Sequence, residues 1–310
     1  MQGLKWFVGA LALLALACGE VSETSTPVVR DGEGLLELPL VSTSAGRSYK
    51  LVGATFAITG PQNATITDTS AESVSLPLMA GTYTIQMNGE WHVERTDAPG
   101  VAVPVTLVSP NPMSFVLGEG ETRPVRFLFK VPEDGTATVG IGVDSGGWIA
   151  GTIEFESRPT SPGEPWDVFG ELSGKSIPFV ISYESATVTR SNEYGYKRIE
   201  IQTAPVTFQV GGATGAAFQQ RIVGALHGRS MSFFLEASDP TGATAGPIVL
   251  ENIERAIRFE MGPMAVAFGL DADGYPLMHP APIATAYARF NDANAGSIYG
   301  SLTSGTFSPR

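Results

Sequence analysis

In residues 35–131 apolar positions recur with a period of two. Val74, Leu76 and Leu78 alternate with other residues, as do Tyr83, Ile85 and Met87, then Val101, Val103, Val105 and Leu107, then Val125, Phe127 and Phe129. Successive side chains of a strand point to opposite faces, so this period predicts strands with one buried face. Gly60-Pro61, Asn88-Gly89, Pro110-Asn111-Pro112 and Gly118-Glu119-Gly120 interrupt the pattern. Such residues supply the backbone conformations of turns. Seven or eight short strands at this spacing predict an antiparallel β-sandwich.

The glycine-rich stretch 132–147 carries no aromatic residue and divides the chain. Beyond it the alternation resumes at Trp148–Phe155, Phe179–Val188, Lys197–Gln202 and Val206–Val210, with a hairpin predicted around "RSNEYGY". Residues 221–238 predict two strands about His227-Gly228. Residues 247–259, "PIVLENIERAIRF", fit a helix, with Pro247 at its start and Leu250, Ile253 and Ile257 on one face. They fit a strand ending at Ala256–Phe259 almost as well. "GGWIAGTIEFES" (146–157) and "AGSIYGSLTSGTF" (295–307) share the pattern G-x-I-x-G-[ST]-[IL]. This predicts that the first and last strands of the second half pair.

Composition supports the same class. Of the residues, 43% are hydrophobic and only 16% charged, with 36 Gly and 22 Pro. This mixture suits many strands joined by turns. The net charge is −12, and both halves are acidic, with 7 basic against 14 acidic residues over 19–139 and 11 against 17 over 140–310. A phosphate backbone would be repelled, which argues against nucleic acid as a partner.

The N-terminus departs from the rest. Lys5 precedes an uncharged apolar run of 12 residues, Trp6–Ala17. A membrane-spanning helix needs about 20 residues, so the run reads as the apolar core of a signal peptide. Cys18 follows it and is the sole cysteine of the chain. In an oxidising compartment cysteines normally come in pairs. A single thiol directly after an export signal is what a thioether anchor requires. Ala15-Leu16-Ala17 also fits an ordinary small-x-small cleavage site, which leaves simple secretion as the other outcome. Residues 18–33 are polar and Ser/Thr-rich. They predict a flexible tether with a reach of roughly 20–25 Å.

Leu14-Ala15-Leu16-Ala17-Cys18 resembles the lipobox of bacterial lipoproteins, with Ala15 and Leu16 exchanged relative to the usual pattern. The resemblance implies diacylation of Cys18, and Gly19 in place of Asp implies outer-membrane sorting. Leu78, Gly81, Tyr83 and Ile85 match the L-x-x-G-x-Y-x-[IV] signature. Residues 34–131 thereby resemble carboxypeptidase regulatory-like and collagen-binding B-type domains. That likeness implies an Ig-like or prealbumin-like sandwich serving as spacer or as a carbohydrate or protein contact.

Motifs for chemistry are sparse. The three histidines share no metal-ligand spacing, and no G-x-S-x-G elbow or G-x-G-x-x-G loop is present. Asp271 and Asp273 could reach one Ca²⁺ from a turn, but Pro276 and Pro282 stand where an EF-hand needs Gly and Glu. An Asp-Gly turn is the simpler reading. Trp148, Trp166, Tyr194 and Tyr196 lie in or near predicted loops and could form a glycan platform if exposed, or fill cores if not.

The sequence therefore predicts an all-β protein: signal peptide 1–17, lipidated Cys18 with tether 18–33, a first sandwich 34–135 and a second antiparallel domain 146–310. The expected role is a non-catalytic binding or scaffolding module of the envelope, probing glycan or protein, with no cofactor. An envelope hydrolase with its site in residues 148–310 is the alternative.

Overall fold

The computed structural model describes residues 27–44, 47–133, 137–140, 146–161, 164, 166–193, 195–212, 214–239, 242–266, 269–283 and 285–309. The signal segment, Cys18 and most of the tether lie outside these. The fold is all-β and layered, as the alternation predicts. Every described ladder is antiparallel except the short one between Glu33–Pro39 and Thr122–Pro124.

The first half packs strands of four sheets about one core, Phe129–Glu133 with Thr106–Leu107 belonging to the fourth. Glu33–Pro39 runs beside Ser73–Met79. Arg47–Val52 lies between Val41–Ser44 and His92–Arg95. Gly81–Asn88 lies between Thr55–Thr59 and Met113–Leu117. Leu36, Leu51, Phe56, Tyr83, Ile85 and Val93 meet in the middle. Tyr83 is buried, as its register with Ile85 predicts. It stacks on its cross-strand partner Phe115 at 5.5 Å and donates its hydroxyl to the Met79 carbonyl at 2.7 Å. The Asn88-Gly89 turn forms, with Gly89 at φ +88°. It carries the chain from one sheet to another, since His92–Arg95 pairs with Arg47–Val52.

In the second half short hairpins alternate with crossings, since Ser176–Tyr183 pairs with Thr207–Gly211 rather than with the strand that follows it. Gly147–Phe155 pairs with Ser176–Tyr183. Ala186–Glu193 and Tyr196–Pro205 form the expected hairpin. Tyr196–Pro205 then pairs with Ser230–Asp239. Ile248–Asn252, Ile257–Met261, Ala286–Asp292 and Gly296–Ser308 follow as a meander. Gly296–Ser308 returns to pair with Gly147–Phe155, as the sequence echo predicts. At that seam the backbones approach tightly: a Cβ on Gly151 would lie 2.4 Å from the Ser304 carbonyl oxygen.

The enclosed space is filled. Phe208, Phe259 and Phe290 pack ring to ring, with Phe259 and Phe290 4.7 Å apart. A helical segment, residues 216–226, plugs one end with Phe218, Ile222 and Leu226. The interior between the layers is therefore a packed core. Outward positions carry Arg198, Glu200 and Gln202, then Arg258 and Glu260, then Arg289 and Asn291. A barrel seated in lipid has the opposite alternation.

Two sequence expectations are corrected here. Residues 247–259 form a hairpin rather than a helix, because Ile253 is 81% exposed in the turn while Ile248, Leu250, Ile257 and Phe259 point inward on alternate positions. Residues 221–238 form helix then strand, because Phe218, Ile222 and Leu226 recur every fourth residue.

The halves touch. Met113–Leu117 adds to Thr207–Gly211 through Met113↔Gly211 and Ser114↔Val210. Beside that ladder Leu128, Trp148, Ala150 and Val180 are buried together.

Candidate functional site

The sequence-predicted aromatics do not assemble. Trp148 is 3% exposed, packed with Leu128 and Val180 where the halves meet, so it is a core residue and not a surface contact. Trp166 is exposed in the connection between Gly147–Phe155 and Ser176–Tyr183. Tyr196 is exposed at the tip of the hairpin beginning strand Tyr196–Pro205. The strand directions place these two at opposite ends of the large sheet. Tyr194 and Cys18 lie outside the described residues.

Asp271 is built into a turn. Its Oδ1 accepts the backbone N–H of Asp273 at 3.0 Å and of Tyr275 at 2.9 Å, and its Oδ2 pairs with Arg190 at 2.9 Å. The Tyr275 N–H above all, with the Arg190 charge assisting, holds its carboxyl below the usual range. Lys197 donates to the Asp273 carbonyl. The two cations also flank the Tyr275 ring, at 4.8 Å for Arg190 and 5.7 Å for Lys197. A turn already holding two cations offers Ca²⁺ little.

A groove of about 650 Å³ opens in the first half. Its floor is the outward face of the sheet bearing Lys50 and Glu94, which are cross-strand partners. Its wall is the 67–72 connection, pinned where Lys50 donates to the Ser70 carbonyl and where the N–H groups of Leu40 and Val41 reach the Glu72 carbonyl. Asp68 caps Ser70, and Glu94 accepts from Gly100 N–H at 2.8 Å and pairs with His92 at 2.7 Å. Both carboxyls are held low by those hydrogen bonds. They are fixed anions, unlike a general acid, which must be protonated near working pH.

The remaining feature is a grid on the outside of the second half. Cross-strand register sets three rows. Glu251, Arg258, Asn291 and Ser297 make the first. Glu260, Arg289 and Tyr299 make the second. Tyr287, Ser301 and Glu154 make the third. Tyr287 is 42% and Tyr299 46% exposed. Arg258 is held by Glu251 at 3.2 Å and Glu260 at 3.1 Å. Tyr287 donates its hydroxyl to Glu260 at 2.8 Å, and chiefly this bond lowers the Glu260 carboxyl. Arg289 lies over the Tyr299 ring at 5.2 Å and reaches Ser297 Oγ at 3.1 Å. Sequence reasoning passed over these residues. The signal was present in the outward halves of two strands, Tyr287-x-Arg289-x-Asn291 and Ser297-x-Tyr299-x-Ser301.

No family model, no curated protein and no solved structure matches the chain.

Proposed function

We propose that this is an exported lipoprotein, anchored to the cell envelope at Cys18, that works as a non-catalytic module binding glycan or protein. The observation that carries the binding role is the fixed, half-exposed Tyr287–Tyr299 grid on an otherwise filled second half. With the interior of the second half packed with side chains, a ligand is met on the outside. The polar outward face of that half is unsuited to acyl chains, so lipid contact falls to the N-terminus, where the sole cysteine follows an apolar export signal. Gly19 fits sorting to the outer membrane.

Binding is favoured over turnover by the direction of the carboxyl shifts. A glycosidase-type hydrolase in residues 148–310 would need a general-acid carboxyl kept protonated near neutral pH. Glu260 and Asp271 are shifted the other way.

The test couples detergent-phase partitioning with mass spectrometry of the N-terminal peptide, and adds esterase, glycosidase and protease panels. Wild-type protein is expected in the detergent phase with an acylated Cys18, Cys18→Ala in the aqueous phase, and neither should turn over a substrate. An unmodified Cys18 at the mature terminus overturns the anchor. Turnover abolished by one Ser, Asp or Glu substitution overturns the non-catalytic role.

A further inference from the structure

Resting on the binding-module reading, we infer that the grid on strands Ile257–Met261, Ala286–Asp292 and Gly296–Ser308 takes a neutral, hydroxyl-rich glycan laid across the rings of Tyr287 and Tyr299. Charge decides first. Arg258 is paired with both Glu251 and Glu260, Arg289 lies over Tyr299 and bonds Ser297, and Glu154 stands in the third row. Two guanidiniums against three carboxylates leave the face slightly acidic, on a chain of net charge −12. An anionic polymer would meet Glu154, Glu251 and Glu260 beside the two guanidiniums and would be repelled by the surrounding surface. A polycation would have to compete with Arg258 for Glu251 and Glu260. A neutral polyol meets no such cost, and can exchange its hydroxyl hydrogen bonds for those of the displaced water.

Shape and chemistry agree. Tyr287 faces Ser301 and Tyr299 faces Arg289, so the two tyrosines are diagonal neighbours, about 7–8 Å apart by sheet geometry. That is within the span of two linked sugar rings. Each ring is already fixed, Tyr287 through Glu260 and Tyr299 under Arg289. Little side-chain freedom remains to be lost on binding. The C–H face of a pyranose can lie on such rings while its edge hydroxyls reach Asn291, Arg289 and Glu260. Among Arg258, Glu260, Arg289 and Asn291 a hollow of about 100 Å³ is open. It is too small for a sugar ring and suits a hydroxymethyl group with a water. A protein partner is disfavoured because the hollow in this face is lined by Arg258, Glu260, Arg289 and Asn291 and offers an apolar anchor no apolar pocket to fill.

The probe is native affinity electrophoresis of the full chain in a detergent without sugar groups. Gels contain mixed-linkage β-glucan, mannan or anionic polygalacturonate. Retardation by at least one neutral polysaccharide is expected. Tyr299→Ala should weaken it about tenfold or more, and Tyr287→Ala with Tyr299→Ala should remove it. Trp166→Ala should leave it unchanged. If the double variant fails to fold by circular dichroism, Tyr287→Phe replaces it: this keeps the ring, frees Glu260 and should weaken binding without removing it. Retardation only by polygalacturonate, or neutral binding undiminished in a folded double variant, overturns the inference while leaving a binding module elsewhere on the protein. No retardation in any gel also overturns it. The broader reading falls with it only if the same wild-type protein captures neither glycan nor protein from envelope extract.

Discussion

His227 lies at the end of the helical plug, and its Nδ1 accepts the backbone N–H of Phe208 at 3.3 Å. The neutral ring therefore carries its proton on Nε2. Burial pushes the imidazole down to about 3, and the Arg123 guanidinium adds repulsion. Arg123 is itself buried, with Glu121 as its partner at 3.1 Å. Protonation would cost the ring its bond from Phe208 and set two cations side by side. The folded group titrates far below an unfolded histidine at about 6.5. Between those values the unfolded chain binds the extra proton, so stability is whole above 6.5 and is lost as pH falls toward 3. The loss is at most about 1.4 kcal/mol per pH unit. Carboxyls such as Asp68 and Glu94, held low, act only below the ordinary carboxylate range. Urea midpoints between pH 6.5 and 5 thus isolate the histidine. They should fall for the wild type and hold nearly flat for His227→Gln; parallel slopes would assign the effect elsewhere.

The helical plug is fastened to a turn of the meander by one ion pair. Arg221 meets Asp292 through two bonds, 2.6 Å and 2.9 Å, and Asp292 also accepts the N–H of Asn294 at 2.7 Å. The carboxylate is fully buried and the arginine about a third exposed. Arg221→Ala should destabilise by about 1–3 kcal/mol, less than the full cost of breaking a buried pair because solvent screens the arginine side. Adding Asp292→Asn should cost less than the sum of the single changes. Strictly additive urea midpoints would show the pair to be uncoupled. This plug was the least legible element in the sequence. Phe218, Ile222 and Leu226 do keep helical spacing. They span only three turns, and glycines at 215, 224 and 228 suggest loop. Residues 247–259 erred the other way, since Leu250, Ile253 and Ile257 satisfy a helical period while Leu250-x-Asn252 and Ile257-x-Phe259 satisfy a strand. The long alternations were readable because burial of one face leaves a period of two. The same period carried Tyr287 and Tyr299 outward, but one strand's alternation does not say which outward residues of its neighbours stand beside them.

At the scale of the whole molecule, alternation tells which face is buried but not which strand lies alongside. The echo of 146–157 in 295–307 made the closing pair legible. Nothing comparable marks Met113 for Gly211, 98 positions on by their numbers. That ladder makes the glycine-rich stretch more than a spacer between independent beads. Trp148 shows the consequence. It stands on the outward face of the first strand of the second half, where a lone sandwich would leave it in water. Leu128 and Val180 cover it instead, with Gln209 buried nearby on the strand paired to Val180. Arg126 crosses to Glu184 at 2.8 Å, and Gln220 to Thr82 at 3.1 Å. These rim contacts are exposed and contribute little, so the coupling rests on the apolar patch and the shared ladder. Truncating a buried tryptophan costs about 3–5 kcal/mol. That cost should fall on the docking of the halves, because each keeps its own separate core. Wild-type protein is expected to unfold in urea in one transition by both far-ultraviolet circular dichroism and tryptophan fluorescence. Trp148→Ala should split the dichroism curve in two, the halves then melting on their own. Glu184→Gln, which removes only a rim charge, should keep the single transition. A wild type that already melts in two steps, or a Trp148→Ala protein whose one transition merely shifts, would show that the halves are not coupled through this patch.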